Sequence, residues 1–229
     1  MPLRIGGLTP LTTTDYPGYL AVVVFCQGCP WRCGYCHNPH LIPATVNQRI
    51  DWDEVMRFLE RRRGLLDAVV FSGGEPTLQA GLAVAMHIVR NLGFKVGLHT
   101  AGIYPARLAR LLPLLDWVGL DIKAPFADYA RITGVPGSGD NAEVSLELIL
   151  KSSVAYECRT TVHRSFFDAE TLIKLAQALK KKGVRHYALQ ACRSANSFDL
   201  PGDEDDGEWL RHLEQRIAPW FDRFVLRPA

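Results

Sequence analysis

The chain has 229 residues, enough for one domain with a substantial core, or one domain with a small appendage. Its 48% hydrophobic and 22% charged residues exclude a disordered chain, and no apolar run approaches the roughly 18 residues of a membrane span. With 26 basic against 24 acidic residues the net charge is +2, too balanced for a broad nucleic-acid-binding surface.

In chain order, strand-like and helix-like stretches alternate. The lead-in over residues 1–18 lacks the apolar h-region of a signal peptide, so a cytoplasmic location is expected. It carries Thr12-Thr-Thr-Asp15-Tyr-Pro-Gly18, where Asp15 can cap its own turn or offer a carboxylate to a buried cation. The apolar run Tyr19–Phe25 predicts the first strand, which leads through Cys26 into a cysteine-rich loop. A helix follows over Trp52–Arg63, opened by the capping-box pattern Asp51-x-x-Glu54. The second strand, Ala68–Phe71, leads through Ser72-Gly73-Gly74-Glu75-Pro76 into a helix over Leu78–Leu92, with Pro76 placed at its start. Strands over Lys95–His99 and Trp117–Asp121 flank a helix over Pro105–Leu114. The Gly134-Val-Pro-Gly137-Ser-Gly139 stretch has no Gly-Lys-Ser/Thr, so it reads as a flexible connection rather than a P-loop. Helices over Ala142–Lys151, Ala169–Lys182 and Glu208–Ala218 then alternate with strands over Glu157–Val162, Arg185–Gln190 and Arg223–Leu226.

Strands separated by single helices imply an α/β fold with a parallel sheet, as a partial (β/α) barrel or as an open doubly wound sheet. In both, ligands bind at the C-terminal ends of the strands. The polar residues gather at those ends: the cysteine loop, Ser72-Gly73-Gly74-Glu75, His99-Thr100-Ala101-Gly102, Asp121-Ile-Lys123 and Gln190. On the fifth predicted strand, alternation puts Arg159, Thr161 and His163 on one face. A concave polar end of a parallel sheet is the pattern of an enzyme.

Cys29, Cys33 and Cys36 carry the most specific chemistry. Three thiolates can hold three irons of a [4Fe–4S] cube and leave the fourth without a protein ligand. Two alternatives bring in Cys26. A zinc ribbon separates its CxxC pairs by roughly 12–20 residues, and the ferredoxin run has its gaps in another order. Cys26 also closes an apolar strand, where cysteine serves as a small buried hydrophobe. His37, next to the last thiol, reads as a loop hydrogen-bonding group. The glycine pair Gly73-Gly74 lets backbone approach a ligand, and Glu75 offers a carboxylate to a cation. Asp121 and Lys123 share a face, where they either pair or meet a hydroxyl and a carboxylate. Arg159, in a central strand, needs an anionic partner, which Asp15 can supply.

The Cys29-x3-Cys33-x2-Cys36 spacing, with Tyr35 before the last thiol, resembles the radical S-adenosylmethionine (SAM) signature. The continuation Tyr35-Cys-His-Asn-Pro, the Asp15-Tyr-Pro-Gly opening, Gly73-Gly-Glu-Pro76 and Leu120-Asp-Ile-Lys123 are similar to glycyl-radical-enzyme activating enzymes, particularly those of anaerobic ribonucleoside-triphosphate reductase. The resemblance implies a partial (β/α)6 barrel of radical SAM type in a single domain, its core near residues 19–190 and a helix and strand added over 207–227. It implies one [4Fe–4S] cluster on Cys29, Cys33 and Cys36, with SAM on the open iron. Gly73, Gly74 and Glu75 would then hold the SAM amino group and Thr100 would add a hydrogen bond. Tyr35 would lie near the adenine, and Lys123 and Asp121 at the methionine end. Asp15 and Arg159 would be active-site or peptide-facing residues. An electron from flavodoxin or ferredoxin would cleave SAM, and the resulting radical would take hydrogen from a glycine of the partner enzyme. A radical SAM enzyme acting on a small molecule or nucleic-acid base is the second expectation. A closed-cluster electron carrier or zinc module is the third.

Overall fold

A computed structural model describes residues 3–45, 50–192 and 206–228. Eight strands form one sheet: β1 Ile5–Thr12, β2 Ala21–Cys26, β3 Ala68–Gly73, β4 Lys95–Thr100, β5 Trp117–Asp121, β6 Ala155–Val162, β7 His186–Ala191 and β8 Arg223–Arg227. They lie in the order of the chain, β1 antiparallel to β2 and every later neighbour parallel. Sequential order decides between the two expected architectures. A doubly wound sheet reverses its order at a switch point; a sheet that never reverses keeps its helices on one side and curls toward the other, as a partial barrel does.

The two faces of the sheet confirm this. Val22, Val24, Val69, Phe71, Val96, Leu98, Val118, Leu120, Cys158, Tyr187 and Leu189 belong to one large apolar core with the inner faces of the helices. The opposite face carries only the small cluster of Tyr16, Ala21, Val23, Ala68, Val70 and Trp117. The helices are α1 Trp52–Arg62, α2 Leu82–Asn91, α3 Pro105–Leu111, α4 Tyr129–Thr133, α5 Ser138–Lys151, α6 Ala169–Lys181 and α7 Asp206–Ile217. Among the described residues no helix is long and apolar enough to cross a membrane.

Four expectations change. The lead-in contains a whole strand, β1, at the edge of the sheet; its Pro10 falls where the register with β2 is irregular, the place an edge strand tolerates proline. Pro76 opens a separate 3-10 turn, Pro76–Leu78, and α2 begins only at Leu82. Asp51 precedes α1 without a side-chain cap hydrogen bond. The glycine-rich connection is ordered, ending α4 and starting α5 at Ser138 rather than Ala142; a Cβ on Gly139 would strike the carbonyl of Phe126. The C-terminal strand expected over Arg223–Leu226 is β8, which pairs with β7 along its length.

Candidate active site

One cavity of about 260 Å3 opens at the C-terminal ends of the strands. Its wall includes Cys29, Cys33, Cys36, Tyr35, Gly73, Gly74, Thr100, Asp121, Lys123, Arg159 and Asp15, which were scattered over 145 positions of sequence. Glu75 alone among the expected site residues is not part of it.

The cysteine loop leaves β2 and is held from two sides. Gly28 N–H and Cys29 N–H donate to the carbonyls of Leu41 and Ile42 at 2.7 and 3.0 Å. Arg32 N–H and Gly34 N–H donate to Thr133 and Ile132 at 3.0 and 3.2 Å, so the end of α4 carries the middle of the loop. Trp31 meets Tyr129 edge-on, with ring centroids 6.1 Å apart. Burial pushes the Cys29 thiol up to about 12, opposed by a hydrogen bond from the Trp31 backbone and, less, by Lys123. Burial likewise raises Cys33, and Lys123 opposes it. Thiols in such a place stay protonated until a metal displaces the proton.

Cys26 ends β2, fully buried, and is not part of the cavity wall. His37 reaches Cys192 just beyond β7, with Nε2 3.5 Å from Sγ, and so ties the end of the cysteine loop to the far side of the sheet. Among the described residues no three His, Cys, Asp or Glu side chains gather as ligands of a single ion. A cube takes each thiol on a separate iron and needs no such convergence. The donor set, three soft sulfurs on one cavity wall, fits that group.

The Gly-Gly-Glu turn packs against the cysteine loop. Gly74 N–H donates to Cys26 O at 2.8 Å and Glu75 N–H to Gly28 O at 2.9 Å, so this turn lies directly against the start of the cysteine loop. A Cβ on Gly73 would sit 2.5 Å from the Cys26 backbone, and one on Gly74 would strike Gly28 O. Glycine is required here because two protein backbones cross. Glu75 is 0% exposed, and its carboxylate accepts from Thr77 N, Thr77 Oγ1, Thr100 Oγ1 and Ala101 N at 3.0, 2.6, 2.7 and 3.0 Å. Burial raises its pKa and these four donors counter that. Glu75 therefore straps the end of β3 to the end of β4 and does not reach the cavity.

The cationic side of the cavity comes from β5 and β6. Asp121 lies between Arg159, whose Nη2 and Nε are 3.1 and 3.2 Å away, and Lys123 at 3.6 Å. Burial alone would raise the Asp121 carboxyl; Arg159 and then Lys123 reverse this and hold it below its usual range. Burial alone would lower the Lys123 ammonium; Cys33, Tyr35 and Asp121 hold it well above the ordinary lysine value. Two cations share one carboxylate, so the triad keeps one positive charge for an anionic ligand group. Tyr129 and Tyr35 clamp this strand end. Lys123 N–H donates to Tyr129 Oη at 2.9 Å, and Tyr35 Oη donates to Lys123 O at 3.4 Å. Arg159 thus takes Asp121, not Asp15, as its carboxylate partner. Asp15 faces the same cavity and is steadied in its own turn by Thr12 Oγ1 at 2.6 Å.

His163 departs from the expected face. β6 ends at Val162, and His163 is buried beyond it, accepting from Ser165 N–H at 3.1 Å. Ser72, Thr161 and Gln190, expected at the polar strand ends, are in the wall, the last two paired at 2.8 Å; two supports were not expected, Phe166 against Tyr35 and α4 beneath the cysteine loop. Alternation and strand ends marked the first three. Nothing local marks the others.

The sequence profile of the Radical SAM superfamily matches residues 23–185. A protein of Methanocaldococcus jannaschii named as a glycyl-radical enzyme activating enzyme is 28% identical over 99% of this chain and 97% of its own length. The pyruvate formate-lyase-activating enzyme of Clostridium pasteurianum is 34% identical over 57% of each chain. Among solved structures, SuiB of Streptococcus suis bound to precursor peptide SuiA superimposes with a TM-score of 0.69 at 15% identity, over 90% of this chain and 48% of that one. QueE from Escherichia coli gives 0.60 at 19% identity over 99% and 94%. At these identities the solved structures speak for the fold alone.

Proposed function

The chain belongs to the radical SAM superfamily, and from that premise we propose that it activates a glycyl-radical enzyme, with anaerobic ribonucleoside-triphosphate reductase as the partner. The cofactors of the superfamily are a [4Fe–4S] cluster and SAM. When bound, the cluster supplies the electron that opens the SAM sulfonium, releasing methionine and the 5′-deoxyadenosyl species that takes a hydrogen atom.

One observation carries the reading: three thiols and a surplus cation share a cavity with Asp15 and Arg159. Cys29, Cys33 and Cys36 would hold the cluster. The backbone of Gly73 and Gly74 would face the SAM amino group, and Lys123, balanced by Asp121, its methionine carboxylate. Tyr35 would border the adenine, and Thr100, already donating to Glu75, would fix the wall between them. Asp15 and Arg159 offer an acceptor and a donor set to the amide groups of a polypeptide. The relatives named as activating enzymes support the choice of a protein substrate; the partner itself and a flavodoxin or ferredoxin donor rest on the resemblance of motifs.

The test is anaerobic incubation of reconstituted protein with SAM, dithionite and candidate glycyl-radical enzymes. Formation of 5′-deoxyadenosine together with a glycyl-radical electron paramagnetic resonance signal on the reductase is expected. A signal on another glycyl-radical enzyme would overturn the partner, and 5′-deoxyadenosine with no such signal anywhere would overturn the activase reading.

A further inference from the structure

The imidazole of His99 lies buried in the cavity floor at the end of β4, where three separate elements meet it. Its Nδ1 is 3.2 Å from Ser72 Oγ of β3, and its Nε2 is 2.8 Å from the carbonyl oxygen of Asp15. One tautomer satisfies both contacts: Nε2–H donates to the Asp15 carbonyl, and the Ser72 hydroxyl donates to Nδ1. Arg159 Nη1 of β6 lies 3.2 Å from the same Nε2; the opposite tautomer would accept from it but would set two lone pairs against each other across the shorter 2.8 Å contact with the Asp15 carbonyl, so Nε2–H is kept and the guanidinium is an electrostatic neighbour of the ring, not a hydrogen-bond donor to it. Burial and then Arg159 bring the His99 pKa down to about 4, so the ring is neutral near pH 7.

The Asp15 carbonyl belongs to the turn joining β1 to β2. That turn is laid onto the inner face of the sheet by Tyr16, whose ring stacks on Trp117 with centroids 5.3 Å apart and an interplanar angle of 27°. Tyr16 also fills the space over Gly97, where a Cβ would come within 3.1 Å of its ring. Trp117 in turn meets the edge of His99 at 5.5 Å. Charge explains why an imidazole suits this place. A carboxylate at position 99, beside Arg159, would compete with Asp121 for that guanidinium and upset the balance of the triad, cancelling the positive charge it keeps for a ligand. A neutral ring reaches the same three elements and leaves that balance intact.

We propose that His99 is a positioning residue: its Nε2–H latches the β1–β2 turn onto the sheet and thereby fixes the Asp15 carboxylate on the wall that carries Arg159. The part of this inference that concerns a polypeptide substrate rests on the reading of Asp15 and Arg159 above; the latch itself does not.

The test compares His99→Asn with His99→Gln. The glutamine amide extends to about the place of Nε2 and keeps a donor for the Asp15 carbonyl, whereas the asparagine amide stops at about the place of Nδ1. In cofactor-free protein, backbone hydrogen–deuterium exchange over residues 12–19 is expected to rise about tenfold in His99→Asn, the loss of one net hydrogen bond, and to return toward wild type in His99→Gln. Unchanged exchange in His99→Asn overturns the latch. Should His99→Asn fail to fold, His99→Phe fills the same space with no donor for the Asp15 carbonyl and is expected to raise exchange over the same residues; no rise there overturns the latch equally. In reconstituted enzyme, the glycyl radical formed per 5′-deoxyadenosine released is expected to fall in His99→Asn and recover in His99→Gln. A ratio equal to wild type overturns the positioning role. A wild-type enzyme that places no radical on any glycyl-radical enzyme sinks the partner reading instead, and leaves the exchange result to decide the latch.

Discussion

At the scale of single residues, the positions that the sequence marked as chemical meet at one cavity, except Glu75, which is buried beside it. Cysteine spacing and an arginine in a central strand are visible locally because each is costly or rare without a purpose. The direction in which Glu75 points is not local, since Thr100 and Ala101, which receive it, lie 25 and 26 residues further on. Gly74 shows the consequence. Its missing Cβ makes room for Gly28 O, one residue before Cys29, so Gly74→Val should displace the cysteine loop itself. Reconstituted Gly74→Val is expected to carry less than half the iron and sulfide of wild type; full iron content with weakened SAM binding would restore the turn to a purely ligand-facing role. Cys26→Ala, by contrast, should keep its cluster, because that thiol is not part of the cavity wall. His99 gives a pH dependence. Its folded pKa, about 4, lies below the unfolded value near 6.5. The unfolded chain therefore takes up the proton first, and stability present above pH 6.5 is lost as pH falls toward 4. Wild type is expected to lose about 2 kcal/mol more than His99→Gln between pH 7 and pH 4.5, measured by urea denaturation at the two pH values; parallel losses in both would remove His99 as the cause.

Elements were legible where they were long and apolar. Seven strands and six helices follow from runs and periods, because a parallel strand buried on both sides reads as a continuous apolar stretch. β1 was not legible: Ile5-Gly-Gly-Leu-Thr-Pro-Leu-Thr12 holds two glycines and a proline, residues depleted in strands. Its place is set from outside. Gln79, in the break between the 3-10 turn and α2, accepts from Arg4 N–H at 2.7 Å and donates to Arg4 O and Gln27 O at 2.8 and 3.2 Å. α4 escaped for another reason, since five residues cannot show a helical period, yet its last carbonyls support the cysteine loop. Gln79→Leu is the corresponding prediction. It leaves Arg4 N–H without its acceptor and two carbonyls without this donor, which should cost about 2 kcal/mol and speed amide exchange through residues 5–12. Exchange confined to other strands would show that β1 is held by β2 alone.

For the whole molecule, the decisive fact is that the strand order never reverses. A sheet that curls in one direction has one concave face, and the apolar residues divide accordingly into a large core beneath the helices and a small one within the curl. Such a sheet keeps two open edges, and its last strand must be finished as part of the core. α7 and β8 do this. Leu210, Leu213 and Ile217 are buried, Phe221 and Phe224 pack on Tyr187 with centroids 5.0 and 6.0 Å away, and Arg227 Nη2 reaches the buried carboxylate of Glu157 at 2.8 Å. Removing everything after Cys192 would strip Tyr187 of that cover, leave Glu157 as an unpaired buried charge and turn β7 into a long unprotected edge. The truncated protein is therefore expected to self-associate on size-exclusion chromatography and to lose its cooperative thermal transition. The cavity lies at the ends of strands whose separation this sheet maintains, so iron uptake on reconstitution should fall with it. A truncated chain that stayed monomeric, melted at the wild-type temperature and took up a full complement of iron would mean that β2 to β7 alone hold the concave face in shape.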